Sequence, residues 1–479
     1  MARILVSLLL SLALVVSIFS ADRRERKSPT LQETQRYTPY LSPLLLPGFL
    51  MALLLLAPFI TGIEKAAQMT LSVCFGIFLH ISVYYILLLL LLPLLRKKIS
   101  ARACGVLWLI PNYLYITQAT YMELPAPKWV IHPPTGLILP LFFLWLTGCI
   151  LYLGFKILEH IRFRHEILKK ATPVSDEETL TLWNQVRTEC HYDAPHLRLL
   201  RSPSVSTPLS LGLFRRTLLL VLPQRDYTET ELRFIFQHEL IHLCRQDNAT
   251  KFFMVFCTAV CWFNPLMWAA MKKSSQDLEL SCDETVLLNE GKNARQEYAR
   301  LILSSAGHSQ GFTTCLSPGA ATLRYRLRHI VAPARKLTGG ILVGLCFFLL
   351  CMTCGYVALA YETGIGDEII FSQSPQSSYE LQYITWQQDG IAMEKDCENP
   401  EALRQFLSDL ELSKITGNYS FQPSNPHVFF MYATPQGKQL ALYLDGRELT
   451  ISYFEKDLRQ ESYYVETVPD WAYLSSLLF

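Results

Sequence analysis

Charged residues are scarce in this chain. Aspartate, glutamate, lysine and arginine make up 18% of its 479 residues, whereas about a quarter is usual in soluble proteins. The 43 basic and 41 acidic residues give a net charge of only +2, so the sequence lacks the strongly basic character typical of nucleic-acid-binding proteins. With 51% hydrophobic residues and a mean hydropathy of +0.21, the composition excludes a mainly disordered chain and indicates a membrane protein.

A disulfide framework is also missing. Thirteen cysteines are spread along the chain, and many of them lie inside apolar runs, where a cysteine packs as a small hydrophobic residue. Cys351 and Cys354 form a C-x-x-C pair, but it lies within an apolar run and has no second pair at zinc-ribbon spacing. Only Cys397 follows that run, so a C-terminal domain beyond it would hold no internal disulfide.

Several apolar runs approach the length of about 20 residues that a helix needs to cross a hydrocarbon core of about 30 Å. They are Ile4 to Ser20, Leu44 to Ile63, Leu71 to Leu95, Leu137 to Phe155 and Leu337 to Ala360, and the shorter run Ala103 to Thr117 is a sixth candidate. Basic residues follow the first run, as far as Arg36, and they also follow the third run. Such clusters of basic residues are typical of cytoplasmic loops. The bias predicts that Lys156 to Lys336 is cytoplasmic and that the C-terminus is extracellular.

Two apolar segments have more than one interpretation. The first run begins Met-Ala-Arg and ends Phe-Ser-Ala, which also fits a cleaved signal peptide. The run from Phe252 to Met271 is interrupted at Asn264-Pro265, and the helix before the interruption would reach only about 18 Å. We therefore expect this second segment to dip into the membrane or to lie against it.

The motif with the most chemical content lies in the middle of the chain. Thr228 and Glu231 form an S/T-x-x-E capping box, which predicts the start of a helix of about 18 residues. Within this helix His238, Glu239 and His242 form H-E-x-x-H, and the spacing places both imidazoles one turn apart on one face. Two neutral imidazoles bind Zn²⁺, and the neighbouring carboxylate can accept a proton from water that the ion activates. The motif indicates a zinc peptidase, although a helix with two metal-free histidines has the same spacing.

A catalytic zinc site needs a third protein ligand and a fourth position open to water. The acidic segment from Gln276 to Glu284 offers Glu279 and Asp283 at i and i+4 on one helix face. One carboxylate can bind the metal while the other accepts a hydrogen bond from a ligating histidine; a solvated acidic helix face is the alternative. If Cys244 or Cys282 closed the fourth position instead, the site would be structural.

These motifs resemble those of the BlaR/MecR type of membrane-embedded zinc metallopeptidase. The similarity comprises the H-E-x-x-H-x-x-R-x-D of His238 to Asp247, Trp262-Phe263-Asn264-Pro265, the E-x-x-C-D of Glu279 to Asp283, and Glu297 to Leu303. Upstream, Ser206-Thr207-Pro208, Gly212 and Leu218 to Pro223 look like the strand segment that precedes the metal helix in this family. The motifs occur in the family's order between Leu71 and Ala360.

The resemblance implies a gluzincin-like active site. His238, His242 and Glu279 would bind a single catalytic zinc ion, and Glu239 would be the general base that activates water and returns the proton to the leaving amine. It also implies a protein substrate, with a helix-turn-helix repressor or the chain itself as candidates.

Other residues are candidates for the surroundings of the metal. We expect Asp283 to support a ligating histidine. Arg245 and Asp247 are either an orienting pair at the end of the helix or a helix-terminal cation beside a turn residue. Leu218 to Leu222 is either an edge strand that takes up the substrate backbone or part of the core, and Lys292 to Arg295 is either an exposed self-cleavage site or a plain loop.

The C-terminal region departs from the family. Between Tyr361 and Phe479, Asn399-Pro400 predicts a short helix. The segments His427 to Ala433, Gln439 to Leu444 and Glu448 to Phe454 predict strands, the last two joined by an Asp445-Gly446 turn. The resulting small α+β domain lacks the S-x-x-K motif of a penicillin-binding sensor, and its ligand stays unassigned.

Together these features predict a multi-span α-helical membrane protein in four parts. They are a transmembrane region of about five spans (residues 1–156), an inserted cytoplasmic α+β zinc peptidase domain (157–336), a last transmembrane helix (337–360) and a small extracellular α+β domain (361–479). We expect a bacterial membrane endopeptidase that cleaves a cytoplasmic or membrane-adjacent protein in signal-responsive regulation, without direct contact with nucleic acid. A nonenzymatic receptor or adaptor with a structural or vestigial zinc site is the alternative.

Overall fold

The structure, a computed structural model, describes the chain with several gaps. The described residues are 2–27, 44–120, 124–134, 136–190, 192, 196–305, 320–331, 336–371, 379–395, 397–415, 419–420, 426–435, 438–454 and 458–478. They form two compact units. The first comprises Met1–Leu55, Phe78–Thr117 and Leu144–Thr353, and the second comprises Leu56–Ile77, Gln118–Phe143 and Cys354–Phe479.

Most of the α-helices lie in the first unit, and the last two lie in the second. In chain order the α-helices of the described residues are α1 (Ala2–Lys27), α2 (Leu45–Thr61), α3 (Ile63–Lys98), α4 (Ala101–Leu109), α5 (Leu114–Thr120), α6 (Ile138–Lys169), α7 (Glu177–Glu189), α8 (Glu229–Arg245), α9 (Asp247–Val260), α10 (Pro265–Val286), α11 (Lys292–Ser305), α12 (Ala320–Val331), α13 (Gly340–Thr353), α14 (Pro400–Ser408) and α15 (Trp471–Leu478). Short 3-10 turns lie at Ile110–Tyr113 and Arg215–Thr217, and a π turn lies at Asp367–Phe371.

Strands occur in both units. In chain order they are β1 (Leu124–Pro125), β2 (Trp129–Ile131), β3 (Thr172–Pro173), β4 (Arg198–Ser202), β5 (Leu209–Leu211), β6 (Leu219–Pro223), β7 (Val357–Ile365), β8 (Glu380–Gln388), β9 (Ile391–Lys395), β10 (Glu411–Ile415), β11 (Tyr419–Ser420), β12 (His427–Ala433), β13 (Gln439–Asp445), β14 (Glu448–Phe454) and β15 (Leu458–Val465). Strands β3 to β6 belong to the first unit and the others to the second. None of the twelve cysteines among the described residues forms a disulfide.

Three helices within the described ranges are long and apolar enough to cross a membrane. They are Arg3–Arg23 of α1 and the whole of α3 and of α6. Helices α2 and α13 are also apolar but shorter. These helices support the predicted membrane protein.

The last predicted span, Leu337 to Ala360, is longer than the helix found there. Helix α13 has 14 residues, which reach about 21 Å. Gly355 then adopts a φ of +97°, a conformation that ends helices readily, and Val357 begins β7, which pairs with β2. The predicted boundary was wrong, because an apolar run can continue from a helix into a strand that is paired in a sheet.

The sixth candidate span, Ala103 to Thr117, is not a continuous helix. Helices α4 and α5 are separated by a 3-10 turn that contains Pro111. Trp108 and Leu114 are completely buried. This segment therefore packs inside the first unit.

The apolar run from Phe252 to Met271 is divided where the sequence predicts. Asn264 caps α10 through its side chain, which accepts a hydrogen bond from Leu266 N, and Pro265 is the first helical residue. Phe253 and Met267 are completely buried. Both helices of this run thus contribute to the core of the first unit.

A four-stranded sheet accompanies helix α8. Its order is β3-β4-β6-β5, with β6 parallel to β4 and antiparallel to β5. Leu220 and Leu222 of β6 face the core that includes α7 and α8, whereas Leu219 and Val221 face a second apolar cluster. Because both faces are covered, β6 reads as a continuous apolar run. Leu218 to Leu222 therefore belongs to the core, and β5 lies at one edge of the sheet.

Helix α10 is fixed at several points along its length. The buried Asp277 accepts hydrogen bonds from Arg96 Nε of α3 at 2.7 Å and from Trp108 Nε1 of α4 at 2.8 Å. Two turns further on, Glu284 accepts from Ala101 N at 3.0 Å and from Lys336 Nζ at 2.6 Å. These contacts set the axial position of α10 and hence of Glu279, which lies between them.

The second unit contains a nine-stranded sheet of order β2-β7-β10-β15-β14-β13-β12-β8-β9. Helices α14 and α15 pack on one of its faces through Leu403, Leu407 and Leu474. Asn399 caps α14 as predicted, and the three predicted strands are β12, β13 and β14, paired in antiparallel order. These local predictions are confirmed, although the sheet is larger than the sequence indicated.

Candidate metal centre

Helix α8 carries the H-E-x-x-H motif. Thr228 and Glu231 make the predicted capping box, since each side chain accepts a hydrogen bond from the backbone of the other residue, at 3.2 and 3.0 Å. The helix ends at Arg245. Gln246 adopts φ 55° and ψ 42°, the left-handed region that residues other than glycine seldom occupy. The reversal at Gln246 starts α9 at once and turns Asp247 back toward α8.

Three atoms converge at the end of α8. His238 Nε2 and His242 Nε2 are 3.1 Å apart. Glu279 Oε2 of α10 is 3.6 Å from each of these nitrogens. Ligand atoms at about 2.0–2.1 Å from a tetrahedral zinc ion are separated by about 3.3–3.4 Å. The donor set and its spacing thus fit a single zinc ion.

Cys282 is a competing neighbour of the two histidines. Its Sγ lies within 4.8 Å of a ring nitrogen of each. It lies 3.4 Å from Nδ1 and 3.4 Å from the carbonyl oxygen of His238, and it also has a side-chain hydrogen bond with His242. Since Nε2 of the His238 ring faces His242 and Glu279, the thiol lies on the side of the other nitrogen of that ring. Glu279 Oε2, in contrast, is equally far from the Nε2 atoms of the two histidines.

Glu239 is buried beside these groups. The residue is only 4% exposed to solvent. Its Oε2 has no hydrogen-bond partner among the described residues. A buried carboxylate oxygen without a partner is costly, so this atom is positioned to interact with a water or substrate group.

His242 is oriented by a carboxylate. Its Nδ1 is 2.6 Å from Asp247 Oδ2, and both side chains are nearly inaccessible to solvent. A carboxylate at this position keeps the hydrogen on Nδ1 and leaves Nε2 as the donor for a metal. The left-handed Gln246 is what allows a residue five positions away to reach the ring.

His238 is oriented by a tyrosine. Tyr298 of α11 places its hydroxyl oxygen 2.8 Å from His238 Nδ1 and 2.8 Å from Asp283 Oδ1. The single hydroxyl hydrogen is donated to the carboxylate, so the oxygen accepts from Nδ1–H. Arg326 of α12 donates two hydrogen bonds of 2.7 Å to Asp283. Asp283 therefore supports His238 through Tyr298.

Sequence reasoning missed Tyr298 and Arg326 as parts of the site. Tyr298 lies within the Glu297 to Leu303 motif, but nothing in the motif shows which way the side chain points. Arg326 alternates with Arg324 and Arg328 along α12. Only its burial, at 8% exposure, distinguishes it from the two other arginines, and burial is a tertiary property.

The charges of the cluster stabilise one another. Burial raises the pKa of Glu279, but His242 and Lys251, whose Nζ is 3.3 Å from Oε1, hold that pKa well below its usual value. Burial lowers the pKa of His238, yet Cys282 and Glu279 outweigh it and raise the pKa to about 10. The negative charge is thus balanced by protons on the imidazoles, which a zinc ion would displace.

Arg245 connects the two helices of the site. It donates from Nη1 to Ser281 Oγ at 3.0 Å and from Nη2 to Thr285 Oγ1 at 2.5 Å, both on α10. Asp247, in contrast, is directed at His242. Arg245 therefore holds α8 against α10, while Asp247 orients a ring.

The edge strand β5 is tied to the same region. Asn248, which follows Asp247, donates from Nδ2 to Gly212 O at 3.0 Å. Gly212 has a φ of +111°, and a Cβ there would lie 2.4 Å from Thr217 O, so only glycine allows this path. Asn248 and Gly212 together place the end of β5 close to the start of α9.

Lys292 to Arg295 forms the first turn of α11 rather than a loop. Arg295 Nε donates to Glu290 O at 3.0 Å. The expectation of a loop was wrong, because the residues after Gly291 continue directly into a helix that carries Tyr298. A protease would need this turn to unwind before cleaving it.

Comparison with known proteins relates the middle of the chain to a family. Residues 126–330 match the family described as BlaR1 peptidase M56. The Regulatory protein BlaR1 of Bacillus licheniformis is 26% identical over 185 residues, which are 39% of this chain and 30% of that protein. The Methicillin resistance mecR1 proteins of Staphylococcus aureus and Staphylococcus epidermidis are each 22% identical over 161 residues, 33% of this chain and 27% of theirs. The match thus spans less than a third of the length of these relatives.

The matched range contains the metal helix, Glu279 and the residues that orient the histidines. The family consists of membrane metallopeptidases that act in signal transduction. The motifs, the clustered histidines and the apolar helices of this chain agree with that description. Residues 126–330 of this chain thus match the BlaR/MecR-type peptidase family.

Proposed function

We propose that this protein is a membrane-bound zinc endopeptidase. His238, His242 and Glu279 are the zinc ligands, and Glu239 is the general base. The observation that carries the proposal is the convergence of two Nε2 atoms and one carboxylate oxygen at separations of 3.1 and 3.6 Å. The uncommitted, buried Oε2 of Glu239 supports it.

Each residue has a distinct task in this reaction. Zinc at this site would supply the positive charge that polarises a peptide carbonyl and lowers the pKa of water. Glu239 accepts the proton of the attacking water and delivers it to the leaving amine. Asp247 and Tyr298 keep hydrogen on the Nδ1 atoms of His242 and His238, so that both Nε2 atoms remain available.

Lys251 contributes to the same arrangement. Its ammonium group lies against Oε1 of Glu279, whereas Oε2 faces the histidines. This contact favours binding of zinc through one carboxylate oxygen. A single-oxygen ligand leaves the fourth position open, as a catalytic site requires.

We further propose that the substrate binds as an added strand. β5 is at the edge of its sheet and is anchored to α9 through Asn248. A substrate that pairs with β5 is held mainly by main-chain hydrogen bonds, which give weak side-chain selectivity. The substrate is a cytoplasmic or membrane-adjacent protein, with a helix-turn-helix repressor or the chain itself as the leading candidates.

The orientation in the membrane is part of the proposal. The bias of basic residues places the peptidase part in the bacterial cytoplasm and the C-terminus outside; Arg36, one of the residues behind this bias, lies outside the described residues. A reporter enzyme fused after Phe479 should be active outside the cell. If the fusion were active in the cytoplasm instead, the proposed orientation would be wrong.

Glu239→Gln tests the general base. We expect the purified full-length variant to retain zinc and to lose about 10²- to 10⁴-fold in kcat/KM against a casein-like or repressor-like protein. Glu229→Gln, in the exposed first turn of the same helix, is the matched control and should cleave like wild type. Undiminished cleavage by the Glu239 variant would refute the assignment, as would a wild-type protein without zinc.

A receptor with a structural zinc site is the second candidate, and the proximity of Cys282 to both histidines favours it. Cys282→Ser separates the two. A catalytic His-His-Glu site should keep its zinc and its activity in this variant, whereas a structural site with a thiolate ligand should lose metal. Glu279→Ala should show the reverse pattern and lose zinc if the proposal is right.

A further inference from the structure

The charge of this chain is distributed very unevenly. Residues 361–479 contain 18 acidic and 7 basic side chains, a net charge of −11, whereas the remainder carries +13. The overall charge of +2 conceals this asymmetry. A strongly acidic domain attracts cationic partners and repels polyanions.

One face of the nine-stranded sheet is covered by α14 and α15, and we call the other face the open face. Its aromatic side chains come from β8, β12 and β13. Phe429 is directly opposite Tyr443 in the register, and the ring of Tyr383 is 5.9 Å from that of Phe429. The ring of His427 lies 5.6 Å from that of Tyr443. Tyr383 and Tyr443 remain 40% and 36% exposed, so the ring faces are accessible.

Carboxylates flank this aromatic strip on the same face. Asp445 and Glu448 are directly opposite each other at the end of the β13–β14 hairpin, beside Tyr443. On the other side, Glu394 of β9 is opposite Thr385, which is in turn opposite Phe429. Like charges that face each other across two strands destabilise a sheet. Consistent with this, burial and the neighbouring Asp445 raise the pKa of Glu448.

We propose that the open face binds a cationic peptide or a cationic segment of another protein. Aromatic rings attract ammonium and guanidinium groups through their faces, and the flanking carboxylates provide ion pairs that are partly desolvated. The negative charge disfavours two other partners, since both nucleic acids and anionic bacterial lipids are polyanionic.

The positions of the acidic groups define the ligand further. β9 and β14 are separated by four strand spacings, which is about 19 Å. An extended peptide spans this distance with about six residues. The ligand therefore carries Lys or Arg near both ends of a short apolar or aromatic centre.

The experiment measures binding of a labelled peptide with two lysines at each end of a Leu-Trp-Leu centre. Fluorescence anisotropy is recorded with the full-length chain in neutral detergent, in a Glu239→Gln background so that the peptide is not cut. A peptide with glutamates in place of the lysines is the probe control. The variants are Asp445→Asn with Glu448→Gln, Tyr443→Thr, and a matched control, Glu401→Gln with Asp409→Asn, which removes one charge from α14 and one from its C-cap.

We expect binding of the lysine peptide that weakens with salt. The double change at Asp445 and Glu448 should weaken it about tenfold, and Tyr443→Thr should weaken it about threefold. The α14 control should stay within about twofold of the background protein. The proposal is overturned if the lysine peptide does not bind at low salt, if the glutamate peptide binds as well, or if the control loses as much affinity as the open-face variant.

Discussion

At the metal centre, carboxylates lie against cations, whereas on the open face of the C-terminal sheet two carboxylates lie opposite each other. Asp283 receives two hydrogen bonds from Arg326, and Glu279 lies against Lys251. Asp445 and Glu448, in contrast, are cross-strand neighbours of the same sign. The difference follows burial: a buried charge costs several kcal/mol unless it is paired, while a partly exposed like-charge pair costs only a fraction of that.

This comparison separates two uses of negative charge. In the buried cluster the charges are paired with other groups inside the protein, and these pairs hold the ligand atoms at fixed distances. On the open face, Asp445 and Glu448 lie at the partly exposed end of a hairpin, where a cationic partner can reach them. Substitutions in the first region should therefore change folding and metal binding, whereas those in the second should change only recognition.

The largest expected effect is that of Arg326→Met. Loss of the guanidinium leaves the buried Asp283 without its cation, which should lower the free energy of unfolding by about 3–5 kcal/mol. Thermal unfolding of the purified chain in detergent measures this change. Arg328→Met, an exposed position on the same helix, is the control and should be close to neutral. Equal melting temperatures for both variants would mean that the buried ion pair does not stabilise the fold.

A smaller effect is expected from Tyr298→Phe. Without the hydroxyl, His238 Nδ1 loses its acceptor, and zinc affinity should fall about 10- to 100-fold with the fold intact. Competition with a fluorescent chelator measures the affinity, and Tyr325→Phe on α12 is the control. Unchanged zinc affinity would show that Tyr298 does not orient His238. The two histidines would then differ, because only His242 would be oriented by a neighbouring side chain, that of Asp247.

The smallest effect on stability should come from Asp445→Asn. Removing one of two opposed carboxylates should leave the free energy of unfolding unchanged or raise it by up to about 0.5 kcal/mol. Thermal unfolding checks this as well. A large loss of stability would show that Asp445 has a structural role, and it would end the contrast between the two regions.

The metal helix shows how far local sequence information reaches. Thr228 and Glu231 predicted its start correctly, and the spacing of His238 and His242 predicted that their rings would meet, because helix geometry alone brings residues four apart together. The same holds for α14, which Asn399 caps as expected. The membrane helices were visible as apolar runs, but the end of α13 was not, because a buried strand and a membrane helix have similar compositions.

What the sequence determined by itself is the set of features that depend on neighbours along the chain: the H-E-x-x-H face, the capping of its helix, the apolar helices and the strands of the C-terminal sheet. Only the tertiary structure decided which distant groups complete them. It brings Glu279 to the histidines, places Tyr298 and Arg326 behind them and puts β5 rather than β6 at an edge of the sheet. It also gathers Tyr383, Phe429 and Asp445 on one face. The physical reason is that pairing of buried charges and covering of apolar faces depend on the packing of segments far apart in sequence, which local propensities do not encode.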